Sequence, residues 1–326
     1  MTSRDKILNL FRSHPDQYLS GQEISRTLDI SRAAVWKQVK ALRDLGFEIE
    51  AKHSSGYRLL ASPDLLLASE IENRLNTRLL GTSVVTYAEI DSTNTELRRL
   101  AEAGAVEGTV VVADRQSAGR GRLGRRWESP SGVNLYCSIL LRPDIPLHQA
   151  SQLTFLSAVA VAETLNDVCG LTAKVKWPND ILVGGAKISG LLNEMNAETE
   201  QIHFVILGIG VNLNMLTEQF PQELNYRATS ALLESGRPVD RLLFLRSLLE
   251  KLDLFYNEFL RDGFVPIRRR WESLCNTINA VVEVDMGNLK LSGTVVGLDP
   301  DGALRLQLEN GTVERILAGD VRPVGE

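Results

Sequence analysis

The sequence predicts a multi-domain α+β protein. It has an N-terminal winged helix-turn-helix, a central mixed, mostly antiparallel sheet with helices on one side, and a small C-terminal SH3-like β-barrel. Three observations carry that prediction. Residues 1–60 hold ten Lys and Arg against seven Asp and Glu, a balance of +3, while the rest of the chain holds 26 against 34, or −8. The hydrophobic pattern changes from helical spacing before residue 45 to longer strands and helices, then to short alternating strands after residue 280. At 326 residues the chain also exceeds what one core organises. The expected divisions are 1–62, 63–275 and 276–326.

Composition sets the class. With 44% hydrophobic and 24% charged residues, the chain reads as globular. No apolar run reaches the roughly 18–20 residues a bilayer span needs, and Met1-Thr2-Ser3-Arg4-Asp5 carries no signal-peptide core. Cys137, Cys169 and Cys275 are odd in number and far apart, which points to reduced thiols in a cytoplasm. His14, His53, His148 and His203 fall in different segments, so no histidine metal centre is expected.

The head reads as three helices and a wing. Ile7, Leu8, Leu10 and Phe11 make one helical face, and Ser20 caps a helix over 22–28. After the turn Asp29-Ile30-Ser31, Ser31 caps a helix over 32–45 with Val35, Val39 and Leu42 inward, and Gly46 ends it. Strands at 47–51 and 57–60 flank Ser54-Ser55-Gly56. The third helix presents Arg32, Lys37, Lys40 and Arg43, with Trp36 either packed inward or against a DNA backbone. A basic outer face on the second helix of such a turn suits a major groove, so Ser31, Arg32, Trp36, Lys37 and Lys40 are the candidate DNA contacts. A symmetric operator would call for a dimer.

The body begins after the linker Pro63-Asp64 with a helix over 65–75, then a strand over 84–89. Asp91-Ser92-Thr93-Asn94 caps a helix running to about 103, and 109–113 is a buried strand. A strand over 135–141 and a helix over 150–168 precede strands at 174–177, 181–183, 187–195 and 203–212, with Gly184-Gly185 as a hairpin turn. A helix over 241–260 closes the body. In the tail, turns at Met286-Gly287-Asn288, Asp299-Pro300-Asp301-Gly302 and Glu309-Asn310-Gly311 imply four or five short strands.

The densest chemistry lies between the strands at 109–113 and 135–141. Gly119-Arg-Gly-Arg-Leu-Gly-Arg-Arg-Trp127 belongs to a run, 115–126, with five arginines and no acid, a local charge of +5 in a protein of net charge −5. Glycines free backbone N–H groups for close approach, and guanidinium forks match carboxylate and phosphate oxygens. Such a loop is expected to order around a polyanion. Gly119-x-Gly-x-x-Gly124 also matches a dinucleotide fingerprint, but that motif must open a helix, and Pro130 and Gly132 forbid one here. Lys176-Trp-Pro-Asn-Asp180 by itself reads as an ordinary turn. Lys187 by itself reads as a solvated strand lysine, yet beside the arginine loop it becomes a clamp for developing phosphate charge. In Gly208-Ile-Gly-Val-Asn212 the glycines either let a ring lie on the backbone or mark a bulge.

Taken in order with the head, the four segments Gly119–Trp127, Lys176–Asp180, Lys187-Ile-Ser-Gly-Leu-Leu-Asn-Glu194 and Gly208–Asn212 closely resemble the bifunctional biotin–protein ligases that also repress biotin operons. The resemblance spans nearly the whole chain and implies a class II synthetase-like body. It implies an ATP-dependent ligase that makes biotinyl-5′-AMP with Mg²⁺, then passes biotin to a lysine of a biotin carboxyl carrier protein. The adenylate would act as corepressor on operator DNA, with the loaded protein a homodimer. By the family's pattern, Ser92, Thr93, Asn94, Gln116, Arg120, Gly121, Arg122 and Lys187 would contact biotin. Gly119, Arg122, Arg125, Arg126, Trp127, Asn179 and Asn212 would contact ATP or the adenylate. Lys187, Arg122 and Asp180 would carry the chemistry. Leu123 departs from the pattern, standing where relatives have a charged residue. Two other functions compete: a biotin sensor without chemistry, and a lipoate or octanoate transferase of similar body fold.

Overall fold

The computed structural model describes residues 3–324 apart from 74, 199, 200, 225 and 288. The chain divides into two compact units between Ser69 and Glu70.

The first unit follows the expected order: α1 (Ser3–Ser13), α2 (Gly21–Leu28), α3 (Arg32–Asp44), β1 (Glu48–Lys52) and β2 (Gly56–Ala61). Ser20 accepts the Glu23 N–H and Ser31 accepts the Ala34 N–H, each at 3.1 Å, so both predicted caps form. Ile7, Leu8 and Phe11 of α1, Ile24 of α2, and Val35, Val39 and Leu42 of α3 make the core of this unit. β1 and β2 pair antiparallel as the wing. Reciprocal 2.9 Å backbone bonds between Leu19 and Tyr57 tie the wing to the approach of α2.

The linker differs from expectation. Instead of a helix over 65–75, only α4 (Ala68–Glu72) forms. The amides of Leu65 and Leu67 bond to the carbonyls two residues back, which commits them to turns rather than a helical ladder.

In the second unit, β3 (Ser83–Ile90), α5 (Thr93–Glu102), β4 (Thr109–Gln116), β5 (Leu135–Leu141), α6 (Gln152–Cys169), β6 (Lys174–Lys176), β7 (Asp180–Val183), β8 (Ala186–Ala197) and β9 (Ile202–Val211) follow in sequence. They form one seven-stranded sheet ordered β3-β4-β5-β9-β8-β7-β6. Only the β3–β4 pair is parallel, so the sheet is mixed and mostly antiparallel as read from the hairpins. α6 is buried on nearly every side, its small Ala and Val residues lying between the sheet and the helices α8 (Arg241–Asp262) and α9 (Phe264–Leu274). α9 was not expected, since the helix over 241–260 was taken to close the body; its Pro266 lies in the first turn, where a missing N–H costs nothing. A short α7 (Ala231–Ser235) follows the β9 segment.

The tail folds as β10 (Val281–Asp285), β11 (Lys290–Leu298), β12 (Leu304–Gln307), β13 (Val313–Ile316) and β14 (Asp320–Pro323), ordered β13-β12-β11-β10-β14 and antiparallel throughout. The expected barrel does not close among the described residues. The outer strands β13 and β14 share no ladder, and the β14 end instead borders the cleft described below. The predicted turn at 286–288 includes Asn288, which lies outside the described residues.

Candidate functional site

The four motif segments meet over a cleft of about 760 Å³ in the second unit. The topology explains the convergence. β4 and β5 flank the arginine loop, β9 lies next to β5, and β8 and β7 continue the sheet beyond it, so chain segments far apart in sequence reach one end of the sheet.

At one side of the cleft, α5 begins at Ser92, which occupies the N-cap without a side-chain capping bond. Thr93 is fixed by Gln116, whose Oε1 accepts its N–H at 2.9 Å and its hydroxyl at 3.2 Å, while Gln116 Nε2 donates to Ser129 at 3.0 Å. Asn94 donates to the Leu192 carbonyl and to Glu194, both at 3.0 Å, and accepts from Ser138 at 2.6 Å. A Cβ on Gly208 would lie 2.3 Å from Asn94 Oδ1, so that glycine exists to admit the amide. This side is a buried, fully hydrogen-bonded polar lattice, suited to a ligand whose polar groups must be matched one for one.

The arginine loop lies across the cleft as a tight hairpin. Trp127 N–H donates to the Gly119 carbonyl at 3.0 Å, Gly121 N–H to the Arg125 carbonyl at 2.7 Å, and Arg125 N–H to the Arg122 carbonyl at 3.1 Å. Leu123 occupies the tip with φ 57° and is 80% exposed, at the open rim of the cleft. Trp127 lays its indole on β9: a Cβ on Gly210 would come within 2.6 Å of Nε1. Of the two readings of that glycine segment, the ring against backbone is the one present, and the ring is the protein's own.

The charge of the loop is met from within. Arg120 pairs with Glu194 at 3.3 Å, Arg125 with Asp320 at 2.6 Å and Arg126 with Glu128 at 2.9 Å. Arg122 donates to Asn179 Oδ1 at 3.0 Å. This corrects the expectation that the loop needs a foreign polyanion, because acids from β8, β14 and the strand-side end of the loop supply the counter-charge. Burial holds the Arg122 guanidinium below its ordinary value against the opposing fields of Asp320 and Asp180. Burial alone would raise the Asp320 carboxyl, but its bond to Arg125 and the nearby Arg122 and Arg322 hold it below the usual range.

Lys187 stands near the start of β8, after the Gly184-Gly185 turn. Its Nζ stands 2.6 Å from Asp180 Oδ1, 5.0 Å from the Tyr226 ring centroid and 5.7 Å from that of Trp127. Asn179 is locked by Leu191, accepting through its backbone and donating through its side chain at 3.0 and 2.6 Å. Trp177 of the same motif is buried and donates to the Gly302 carbonyl at 3.3 Å, a packing role.

Of the predicted site residues, Ser92, Thr93, Asn94, Gln116, Arg120, Gly121, Arg122, Arg125, Arg126, Trp127, Asn179, Asp180 and Lys187 line the cleft together. Gly119 shapes the loop from behind through its carbonyl. Asn212 lines an adjoining cavity of about 260 Å³ with Trp127, Lys187, Met215 and Tyr226. Sequence reasoning missed Ser138, Glu194 as a counter-ion, Tyr226 and Asp320. Glu194 closes a motif that had been read for its lysine, whereas Asp320 lies in the tail with no local signal.

In the first unit, Arg32, Trp36, Lys37 and Lys40 are exposed on α3, Trp36 at 59% with Lys40 Nζ 5.7 Å from its ring centroid. Trp36 therefore takes the outward of its two readings. Ser31 spends its hydroxyl on the cap. Arg43 remains exposed but spends its guanidinium on the Ile49 carbonyl at 2.6 and 2.9 Å.

Comparison with known proteins agrees with this assembly. The family described as Biotin/lipoate A/B protein ligase matches residues 87–212, HTH domain matches residues 3–58, and Biotin protein ligase C terminal domain matches residues 277–322. The chain is 40% identical to the Bifunctional ligase/repressor BirA of Bacillus spizizenii over 98% of both chains. It is 32% identical to the protein of the same name from Escherichia coli, over 94% of this chain and 92% of that one. Its fold matches the solved biotin protein ligase from Aquifex aeolicus in complex with biotin and ATP, at TM-score 0.64 and 32% identity, covering 74% of this chain and 98% of that chain. The chain belongs to the bifunctional ligase/repressor family of biotin protein ligases.

Proposed function

We propose that the cleft activates biotin with ATP and passes it to a lysine of a biotin carboxyl carrier protein, and that α3 carries the protein to operator DNA. The observation that carries the ligase reading is the convergence of Lys187, Arg122 and the Thr93–Asn94–Gln116 lattice on one cleft. In the first step the biotin carboxylate attacks the α-phosphorus of ATP and pyrophosphate leaves. Two anions must be brought together, so cancelling their repulsion and aligning them are the main catalytic tasks. Lys187 and Arg122, held by the adjacent Asp180 and Asn179, supply that charge together, while Arg125 and Arg126 meet the outer phosphates by exchanging Asp320 and Glu128 for phosphate oxygens. In the second step the carrier amine attacks the acyl carbon, the C–N bond forms, and AMP leaves with the acyl–phosphate oxygen. Asp180, released from Lys187 as the latter turns to the anhydride, is placed to take the amine proton. Trp127 shields the hydrolysable anhydride from water.

Mg²⁺ binds such sites through one or two carboxylates plus substrate phosphates. The donor set fits that mode, since Asp180 brings one carboxylate and Asn179 an amide oxygen to the cleft where the phosphates would lie. Those two would hold the ion, which would neutralise charge between neighbouring phosphates.

The terminal sheet is read as SH3-like, contributing Asp320 and Arg322 to the cleft. The three cysteines are free, which supports a cytoplasmic setting, and among the described residues no helix is long and apolar enough to cross a membrane. The adenylate is read as corepressor, favouring a homodimer that sets two heads on one operator. Equal operator affinity with and without biotin plus ATP would remove that regulatory link.

Biotin-dependent ATP–pyrophosphate exchange tests the ligase reading. Wild type should exchange, and Lys187→Ala or Arg122→Ala should each lose about 2–4 kcal/mol of transition-state stabilisation, the scale of one electrostatic contact. A passive sensor would release no pyrophosphate.

A further inference from the structure

Behind the cleft lies a buried polar cluster that no motif announces. Asn134, just before β5, has no exposed surface. Its Oδ1 accepts the Leu213 N–H at 2.9 Å, and its Nδ2 stands 3.3 Å from Asn212 Oδ1 and 3.2 Å from Met215 Sδ. One side-chain amide thus reaches three residues of the segment 212–215, two of which line the smaller cavity. Asn212 is further tied through Nδ2 to the Thr229 carbonyl at 3.1 Å.

Asn134 is itself held. Its carbonyl accepts Arg241 Nη1 at 3.1 Å, and the same nitrogen pairs with Asp114 Oδ1 at 2.9 Å. Arg241 is fully buried at the start of α8. Asp114 lies near the end of β4, where the chain leaves for the arginine loop, and also accepts from Ser131, where the chain returns. Both ends of the loop excursion and the 212–215 segment therefore converge on one charged pair. A buried guanidinium has few stable arrangements once its carboxylate is fixed, so the cluster can hold only a narrow geometry.

We infer that Asn134, anchored by the Arg241–Asp114 pair, is the positioning residue for the nucleotide side of the cleft: it sets Asn212 and Met215 relative to the arginine loop. This rests on the ligase reading above. Asn134 bonds directly to Asn212, Leu213 and Met215 and to neither Lys187 nor the Thr93–Asn94–Gln116 side, so its effect falls more heavily on ATP than on biotin.

The test is steady-state exchange with the full chain, with KM taken separately for ATP and biotin, beside thermal midpoints. Asn134→Asp keeps the shape and the acceptor for Leu213 but removes both donors. Asn134→Ala removes the whole contact. Val159→Ala, in the buried helix α6, serves as a variant of lowered stability away from the cluster. Either Asn134 variant should raise the ATP KM about tenfold, the scale of one lost buried hydrogen bond, with the biotin KM within about twofold. Val159→Ala should leave both constants unchanged. An unchanged ATP KM in Asn134→Asp, or ATP and biotin constants rising together, overturns the inference. So does a shift in Val159→Ala that matches the Asn134 variants. Failure of the ligase reading itself looks different, because wild type would then show no exchange at all.

Discussion

The molecule carries two basic regions that look alike in sequence and differ in physics. On α3, Arg32, Lys37 and Lys40 are exposed, and among the described residues none has an acidic partner. On the loop over the cleft, Arg120, Arg125 and Arg126 each have one, and Arg122 has an amide. In open water, cations on a helix repel weakly because solvent and salt screen them. On the loop five arginines fall within twelve residues, so their mutual repulsion is concentrated, and acids from other strands stand beside the exposed Arg120 and Arg125. The surface helix waits for a partner uncompensated, whereas the loop holds its charge in reserve behind internal pairs that a phosphate must displace.

The sharpest way to break this comparison is to exchange the assays. Arg122→Ala should abolish measurable exchange on the scale given above yet leave the intrinsic DNA affinity of the ligand-free chain unchanged. Lys37→Ala with Lys40→Ala should leave exchange intact and weaken DNA binding, lowering the slope of log affinity against log salt by about one per lysine removed. A loop variant that altered that slope would place the loop, too, on the DNA.

A smaller effect is expected at Asp320. Asp320→Asn removes the acid that holds Arg125, and because both side chains are partly exposed the pair is worth at most about 1 kcal/mol. Protease cleavage between residues 119 and 127 of the ligand-free chain should accelerate about two- to fivefold. The pH dependence follows the same pair. The Asp320 carboxyl is held below its ordinary 3.8 in the folded state, so the pair contributes fully above that value. Its contribution fades as pH falls from 3.8 towards the lower folded value. Cleavage of wild type but not of Asp320→Asn should therefore gain in rate over that acid window.

The smallest effect belongs to Leu123. It is exposed at the loop tip, so Leu123→Arg should change thermal stability by no more than about 0.5 kcal/mol and leave exchange within about twofold. A larger change would mean that the tip meets the nucleotide.

Much of this was legible in the sequence, for identifiable reasons. Ser20 and Ser31 announced their helices because capping is local chemistry. The run from β6 to β9 followed from hairpins such as Gly184-Gly185, while the pairing of β9 with β5 was not legible. The arginine loop was legible from its own composition, whereas Ser92, Thr93, Asn94, Gln116, Asn179 and Asp180 were named only by the resemblance, because their own segments read as ordinary caps and turns. The extent of α4 and the presence of α9 were not, since turn bonds at Leu65 and Leu67 and a tolerated Pro266 are decided by context. Glu194, Asp320 and Asn134 were hidden for a deeper reason. Their roles exist only through partners 74 to 195 residues away, and nothing in the neighbourhood of Asp320 or Asn134 marks them. Closure of the terminal sheet was not legible: alternating strands and tight turns fix hairpins but not whether the last edge closes on the first.

The most direct measurement is intact-mass analysis of a biotin carboxyl carrier domain incubated with the full chain, ATP and either biotin or lipoate. The account predicts one biotinyl adduct on a single lysine, with AMP released in equal amount and no lipoyl product. A carrier unchanged in mass, or one lipoylated as readily as biotinylated, would contradict it.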